Sequence, residues 1–223
     1  INAGNANACT GAEGLANCRL SQEYLASVTG LGPSEILPAS TGVIGVQFNM
    51  SRWQAAIPVL MDKPGKSSVE DFATAIMTTD AFPKFGGETL SVRGGRITLA
   101  AVAKGAGMIC PNMATMLSLV LCDAGLSVFQ WREMFDRVVG KTFNRATVDG
   151  DTSTNDTLYA LANGASGVEV KGDDLNKLEA ALTRLLEDLA YKLVQDGEGA
   201  TKVMHIHVRG AESDAAAEQV ART

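Results

Sequence analysis

The 223 residues carry 46% hydrophobic, 20% charged and 5% aromatic side chains, a composition that excludes disorder, collagen-like repetition and a disulfide-stapled mini-protein. A formal net charge of −6 with no Lys/Arg cluster excludes the basic footprint of a nucleic-acid binder. The most apolar run, Met113 to Cys122, stops at Asp123 and has about half the length of a bilayer span.

The chain opens Ile1-Asn2-Ala3-Gly4 without a Met, so a preceding segment is expected to be missing or trimmed. A helix is predicted over about 12–28, ending at Gly30, and surface loops around Asp62–Ser67 and Lys171–Asp174. Ser68 and Asp71 open a second helix over 68–79, with Phe72, Ala75, Ile76 and Thr79 in register. Glu88–Val92 and Arg96–Ala103 flank Gly94-Gly95 and read as a hairpin. Met116–Cys122 reads as a strand. Over 127–139, Ser127 and Gln130 form a capping-box pattern before an apolar face of Trp131, Met134, Phe135 and Val138, closed by Gly140. Leucines 175, 178, 182, 185, 189 and 193 mark a long helix over 174–195, with Gly197 where a C-terminal cap is wanted. A last strand is predicted over Lys202–Arg209. Helices alternate with strands and a hairpin is present, so the expected fold is α/β, a mixed layered helix–sheet architecture.

Four constellations carry chemistry in principle. His205 and His207 would share one face of a strand; without a third ligand at a suggestive spacing, a solvent-facing strand edge is the simpler reading, and no metal site is expected. Cys9, Cys18, Cys110 and Cys122 show no CxxC pairing, which reads as reduced thiols in a cytoplasmic protein. Asp149-Gly150-Asp151-Thr152-Ser153 resembles the DxDx[TV] signature of phosphatases with an aspartate nucleophile. The spacing to Lys171 and Asp173-Asp174 is too short for that family's later motifs, and a turn whose side chains bond local backbone is the alternative. Finally, Thr115 stands where a polar, Gly-rich stretch passes into the apolar run 116–122. It suits either core packing or a nucleophile activated by its own α-amine, whose reference pKa is about 7.7–8.0. Spacing alone leaves both readings open.

The ordered blocks go further: Asn2–Gly11, Ala39-Ser40-Thr41-Gly42-Val43-Ile44-Gly45, Ala75-Ile76-Met77-Thr78-Thr79-Asp80, Ala103-Lys104-Gly105-Ala106-Gly107-Met108-Ile109, Pro111–Leu117, Val148–Thr157 and Asp196–Lys202. Together they resemble the ArgJ family of arginine biosynthesis, the ornithine acetyltransferases or glutamate N-acetyltransferases. The blocks run nearly from end to end.

That resemblance implies a precursor that cuts itself at Ala114–Thr115, giving an α-chain portion over 1–114 and a β-chain portion over 115–223. Thr115 would be the nucleophile. It would take the acetyl group from N2-acetyl-L-ornithine and pass it to L-glutamate by a ping-pong mechanism, with acetyl-CoA as a co-substrate in some members and no cofactor. Thr41 and Gly42 match the family's oxyanion hole; Thr78, Lys104, Thr115 and Glu198 match its substrate-binding positions. The chemistry of these side chains pairs Glu198 with a substrate ammonium and Lys104 with an α-carboxylate. The resemblance also implies an α2β2 heterotetramer, a cytoplasmic location, and family segments before Asn2 and beyond Thr223 that are absent here, the C-terminal one carrying an Asn and a Thr that contact substrate. Ala81 departs from a Thr common in the family after Thr-Thr-Asp. Other readings are an ArgJ-like acetyltransferase with another amine acceptor, a non-catalytic assembly subunit and, more distantly, the DxDxT-type phosphatase.

Overall fold

In the computed structural model, which describes residues 1–62, 65–109 and 116–223, the elements run in the order β1 (Asn2–Asn5), α1 (Gly11–Thr29), β2 (Ser40–Val43), α2 (Met50–Met61), α3 (Val69–Ala75), β3 (Lys84–Val92), β4 (Gly95–Lys104), β5 (Leu117–Cys122), α4 (Val128–Lys141), β6 (Thr157–Ala162), α5 (Asp173–Gln195) and α6 (Asp214–Arg222). The fold is mixed α/β, as the alternation of sequence patterns implied. Four strands form one sheet in the order β3-β4-β5-β6, antiparallel except for the parallel β5–β6 pair. That parallel pair needs a crossover, and α4 supplies it.

The period of two along β4 decides the layers. Ile97, Leu99, Ala101 and Ala103 point to one face and join Val120, Trp131, Met134 and the α5 leucines in the main core. Val102 points the other way, into a smaller cluster with Ala73 of α3 and Ile76 just after it. In α5, Leu178, Leu182, Leu186 and Leu189 are 0% exposed, and the helix packs against both the sheet and α4. A second, two-stranded sheet pairs β1 with β2 in parallel, Gly4 opposite Gly42.

The two strongly periodic helices and the hairpin match expectation. Ser127 caps α4 with its reciprocal Gln130 bond, but Gly140 lies inside the helix, which runs on to Lys141. Gly30 closes α1 at φ 76°, its N–H reaching the Ala26 carbonyl. The helix predicted over 68–79 stops at Ala75; the Thr78 N–H donates to the Asp80 carboxylate instead of continuing the helical ladder. The strand predicted over Lys202–Arg209 is corrected as well. That segment makes no ladder among the described residues, and His205 and His207 are exposed, with His205 stacked on Tyr191 at 5.8 Å. An alternating pattern fixes which side chains share a face, but a strand also needs a neighbour to bond.

Candidate functional site

Charged residues are seldom buried unless paired, and one end of the four-stranded sheet holds four of them together. Lys84 begins β3 and Lys104 ends β4, one position apart in the register that sets Lys84 opposite Ala103. Both lysines are almost fully buried, at 1% and 2% exposure. Lys84 Nζ donates to Asp80 Oδ1 at 2.7 Å, to Asp196 Oδ2 at 2.5 Å and to the Phe82 carbonyl at 3.4 Å. Its three protons are thereby used. Lys104 Nζ donates to Thr78 Oγ1 at 2.7 Å and stands 3.7 Å from Asp80 Oδ2. This second ammonium keeps donor capacity beyond those contacts.

Asp80 is the hub. Besides the lysines, it accepts from the Gly105 N–H at 2.7 Å and the Thr78 N–H at 3.1 Å. Burial raises its carboxyl, but the bonds from Lys84, Gly105 and Thr78 and the Lys104 charge outweigh this and hold it below the ordinary carboxylate value. Burial lowers the Lys104 ammonium, with repulsion from Lys84 in the same direction and attraction from Asp80 and Glu198 against it.

Glu198 reaches this end from the loop after α5. Its N–H donates to the Ala106 carbonyl at 2.7 Å. Its carboxylate lies over Gly107, where an added Cβ would come within 3.0 Å of it. Thr78, Lys104 and Glu198 thus converge from three segments far apart in sequence, a buried cation between two exposed polar residues.

Thr41 and Gly42 lie on β2, where Thr41 is 4% exposed. Gly42 has φ 128°, and a Cβ there would stand 2.2 Å from the Gly4 carbonyl carbon. Only glycine fits this backbone and this approach. The Asn-rich opening block holds the strand in place: Asn5 Nδ2 donates to the Val43 and Val46 carbonyls, and the Asn7 N–H donates to Ser40 Oγ.

Ala114 and Thr115, the expected cleavage pair, lie outside the described residues, as does Cys110. Both flanks of that segment are anchored by the run 148–157. Asp149 accepts from the N–H groups of Met108, Ile109 and Asp151 at 2.5, 3.0 and 3.1 Å. Asp156 Oδ1 accepts from the Met116 N–H at 2.7 Å, and Thr157 N–H donates to the Met116 carbonyl. Asn155 Nδ2 bonds Ser40 Oγ at 3.1 Å, so the same run joins β2 to the start of β5. An aspartate nucleophile needs a free carboxylate. Asp149 has its oxygens on backbone amides, and the residues before it form a short 3-10 turn over Phe143–Arg145, the turn-like alternative rather than a phosphatase strand end.

Asp80, Asp156 and Asp196 stand inside the motif blocks with no role implied by the sequence, and Lys84 stands outside every block. A lone Lys ahead of Phe85-Gly86-Gly87 carries no periodic or motif signal; only its carboxylate partners mark it. The second oxygen of Asp156 is buried without a hydrogen-bond partner among the described residues, and burial pushes this carboxyl up to about 6 against the amides of Met116 and Ser153. Among the described residues no group of three or more His, Cys, Asp or Glu side chains could hold a metal ion, and no described helix is long and apolar enough to cross a membrane.

The sequence profile described as the ArgJ family matches residues 1–223. The chain is 59% identical over 223 residues to the arginine biosynthesis bifunctional protein ArgJ of Nitratidesulfovibrio vulgaris, covering 100% of this chain and 57% of that protein. It is 45% identical over 226 residues to the protein of the same name from Synechocystis sp., covering 100% and 55%. A crystal structure of arginine biosynthesis bifunctional protein ArgJ from Bacillus halodurans aligns over 50% of this chain and 59% of that one, with 36% identity and a TM-score of 0.46. The chain therefore spans little more than half the length of the relatives it matches. On the full-length match to the family profile and the identity to these relatives, the chain belongs to the ArgJ family.

Proposed function

We propose that the protein containing this chain is a glutamate N-acetyltransferase of arginine biosynthesis that works through an acetyl-enzyme on Thr115. The observation that carries the reading is the convergence of Thr78, Lys104 and Glu198, with Lys104 Nζ 2.7 Å from Thr78 Oγ1. A cation with spare donors suits the α-carboxylate of an amino acid, and a carboxylate on the loop beside it suits an ammonium. Both N-acetylornithine and glutamate carry an α-carboxylate; ornithine's side chain supplies the ammonium.

Activation begins with Thr115 Oγ attacking the Ala114 carbonyl carbon. The C–N bond to Thr115 breaks, its nitrogen takes a proton, and an ester links the two residues. Water then hydrolyses that ester, leaving an Ala114 carboxylate at the end of the portion 1–114 and a Thr115 α-amine at the head of 115–223. In the transfer reaction the amine takes the Thr115 hydroxyl proton while Oγ attacks the acetyl carbonyl. Ornithine leaves with its amine protonated, and the acetyl group stays on Oγ. The glutamate amine then attacks the acetyl ester and regenerates the hydroxyl. Thr41 and the Gly42 N–H would meet the oxyanion formed at each step, and the loss of one such donor costs ~10²–10³ in rate. Acetyl-CoA could enter as an alternative donor at the first half-reaction. The cleaved halves would assemble as an α2β2 heterotetramer in the cytoplasm.

Intact-mass analysis with N-terminal sequencing of the full-length protein tests the activation step. Cleavage predicts a fragment that begins Thr115-Met116-Leu117 and disappears in Thr115→Ala. An uncleaved wild-type protein that still transfers acetyl groups would rule this mechanism out.

A further inference from the structure

Two buried lysines stand at the same end of the sheet, and their bonding differs. Among the described residues Lys104 has one hydrogen bond and one longer ionic approach, which leaves protons for a ligand. Lys84 is saturated by two carboxylates and a carbonyl, so it has nothing left to offer a substrate. Its partners are informative by position. Asp80 follows Thr78 by two residues and also bonds the Gly105 N–H, next to Lys104. Asp196 precedes Glu198 by two and takes the Ala81 N–H on both oxygens, at 3.2 and 3.0 Å. The Lys84 ammonium is thus bonded directly to the segments that carry Thr78 and Glu198, and through Asp80 to the one that carries Lys104.

We propose that Lys84, bridging Asp80 and Asp196, is a positioning residue that fixes the Glu198 loop relative to Lys104 and Thr78 and so sets the spacing between the subsites for the two charged ends of the amino-acid substrate. The proposal rests on the substrate-binding reading of those three residues. A buried ion pair is seldom retained for stability alone, since an apolar replacement is often as stable. What this one supplies is geometry: it closes a link between residues 112 apart in sequence. Without the Lys84 link, the hydrogen bonds described above that still hold this loop to the sheet end are the Glu198 N–H to the Ala106 carbonyl and the Ala81 N–H to the Asp196 carboxylate, both of them to backbone outside the Lys84 side chain.

Asp196→Asn keeps the side-chain shape and weakens the bridge; the double variant Lys84→Met/Asp196→Asn removes it while leaving Asp80 and Lys104 to balance one another. Each is made in the full-length protein and read in two ways. In acetyl transfer, KM for N-acetylornithine should rise about 10-fold while kcat changes less, as expected for misplaced binding groups distant from the reacting atoms. In amide hydrogen exchange, the Glu198 N–H should exchange faster in both variants, a result that needs no activity. Wild-type protein without transfer activity, together with faster Glu198 exchange in the variants, would overturn the acetyltransferase reading and leave the positioning role standing. An unchanged Glu198 exchange rate would overturn the positioning role, as would an unchanged KM in active variants. So would recovery of wild-type KM in the double variant, because charge balance and not the bridge would then be the cause.

Discussion

Asp156→Asn should stabilise the folded chain at neutral pH. The carboxyl sits at about 6 instead of its ordinary 3.8 because burial penalises the charged form more than the Met116 and Ser153 amides favour it. At about 1.4 kcal/mol per pH unit, a gap of that size corresponds to about 3 kcal/mol of destabilisation once the group is ionised. Asp156 is only half-buried, and solvent screening reduces the effect to about 1–2 kcal/mol. The sign follows from proton counts. Between about pH 6 and about pH 4 the folded state binds more protons at Asp156 than the unfolded state does, so this group makes the protein more stable as pH falls through that window. The carboxylates of Asp80, Asp174 and Glu179 are held low and act in the opposite direction, at lower pH. Asparagine keeps the acceptor for Met116 and removes the charge. Denaturant unfolding at pH 7.5 and pH 4.5, compared between wild type and Asp156→Asn, should show the variant ahead by about 1–2 kcal/mol at the higher pH, with the gap closing at the lower. A variant that is less stable at pH 7.5, or a difference independent of pH, would refute the desolvation argument.

Other consequences are more local. Leu182→Ala removes a side chain with 0% exposure from the contact of α5 with the main core and should cost about 2–5 kcal/mol in urea unfolding. Lys84→Met alone leaves Asp80 and Asp196 buried without their shared cation, for a loss of about 3–5 kcal/mol by the same measurement. Gly107→Ala presses on the Glu198 carboxylate, the far end of a flexible side chain; stability should change by less than about 0.5 kcal/mol while KM for the amino-acid substrate rises.

The sequence made the long periodic elements legible because burial of one face is written directly in residue spacing. α4, α5 and the β3–β4 hairpin belong to this group. β1 and β2 are too short for a period to register, and Ser40-Thr41-Gly42 reads as loop until Gly4 is found against Gly42. α2 begins at a side-chain cap from Asn49, which also sits in a glycosylation-like triplet, and carries Pro58 in its interior, so composition argues against a helix that the capped chain nevertheless forms. The motif blocks drew attention to the right regions, and Thr78, Lys104 and Glu198 do meet. The network behind them was not legible, because Lys84 and Asp196 become a pair only through the sheet register and the direction of α5.

The most direct test uses the purified full-length protein and acetyl-labelled N-acetylornithine. With no glutamate added, the label should appear on the fragment that begins at Thr115, and glutamate should then discharge it as N-acetylglutamate. Transfer that requires both amino acids together and never labels the protein would contradict the acetyl-enzyme, and absence of transfer would contradict the assignment itself.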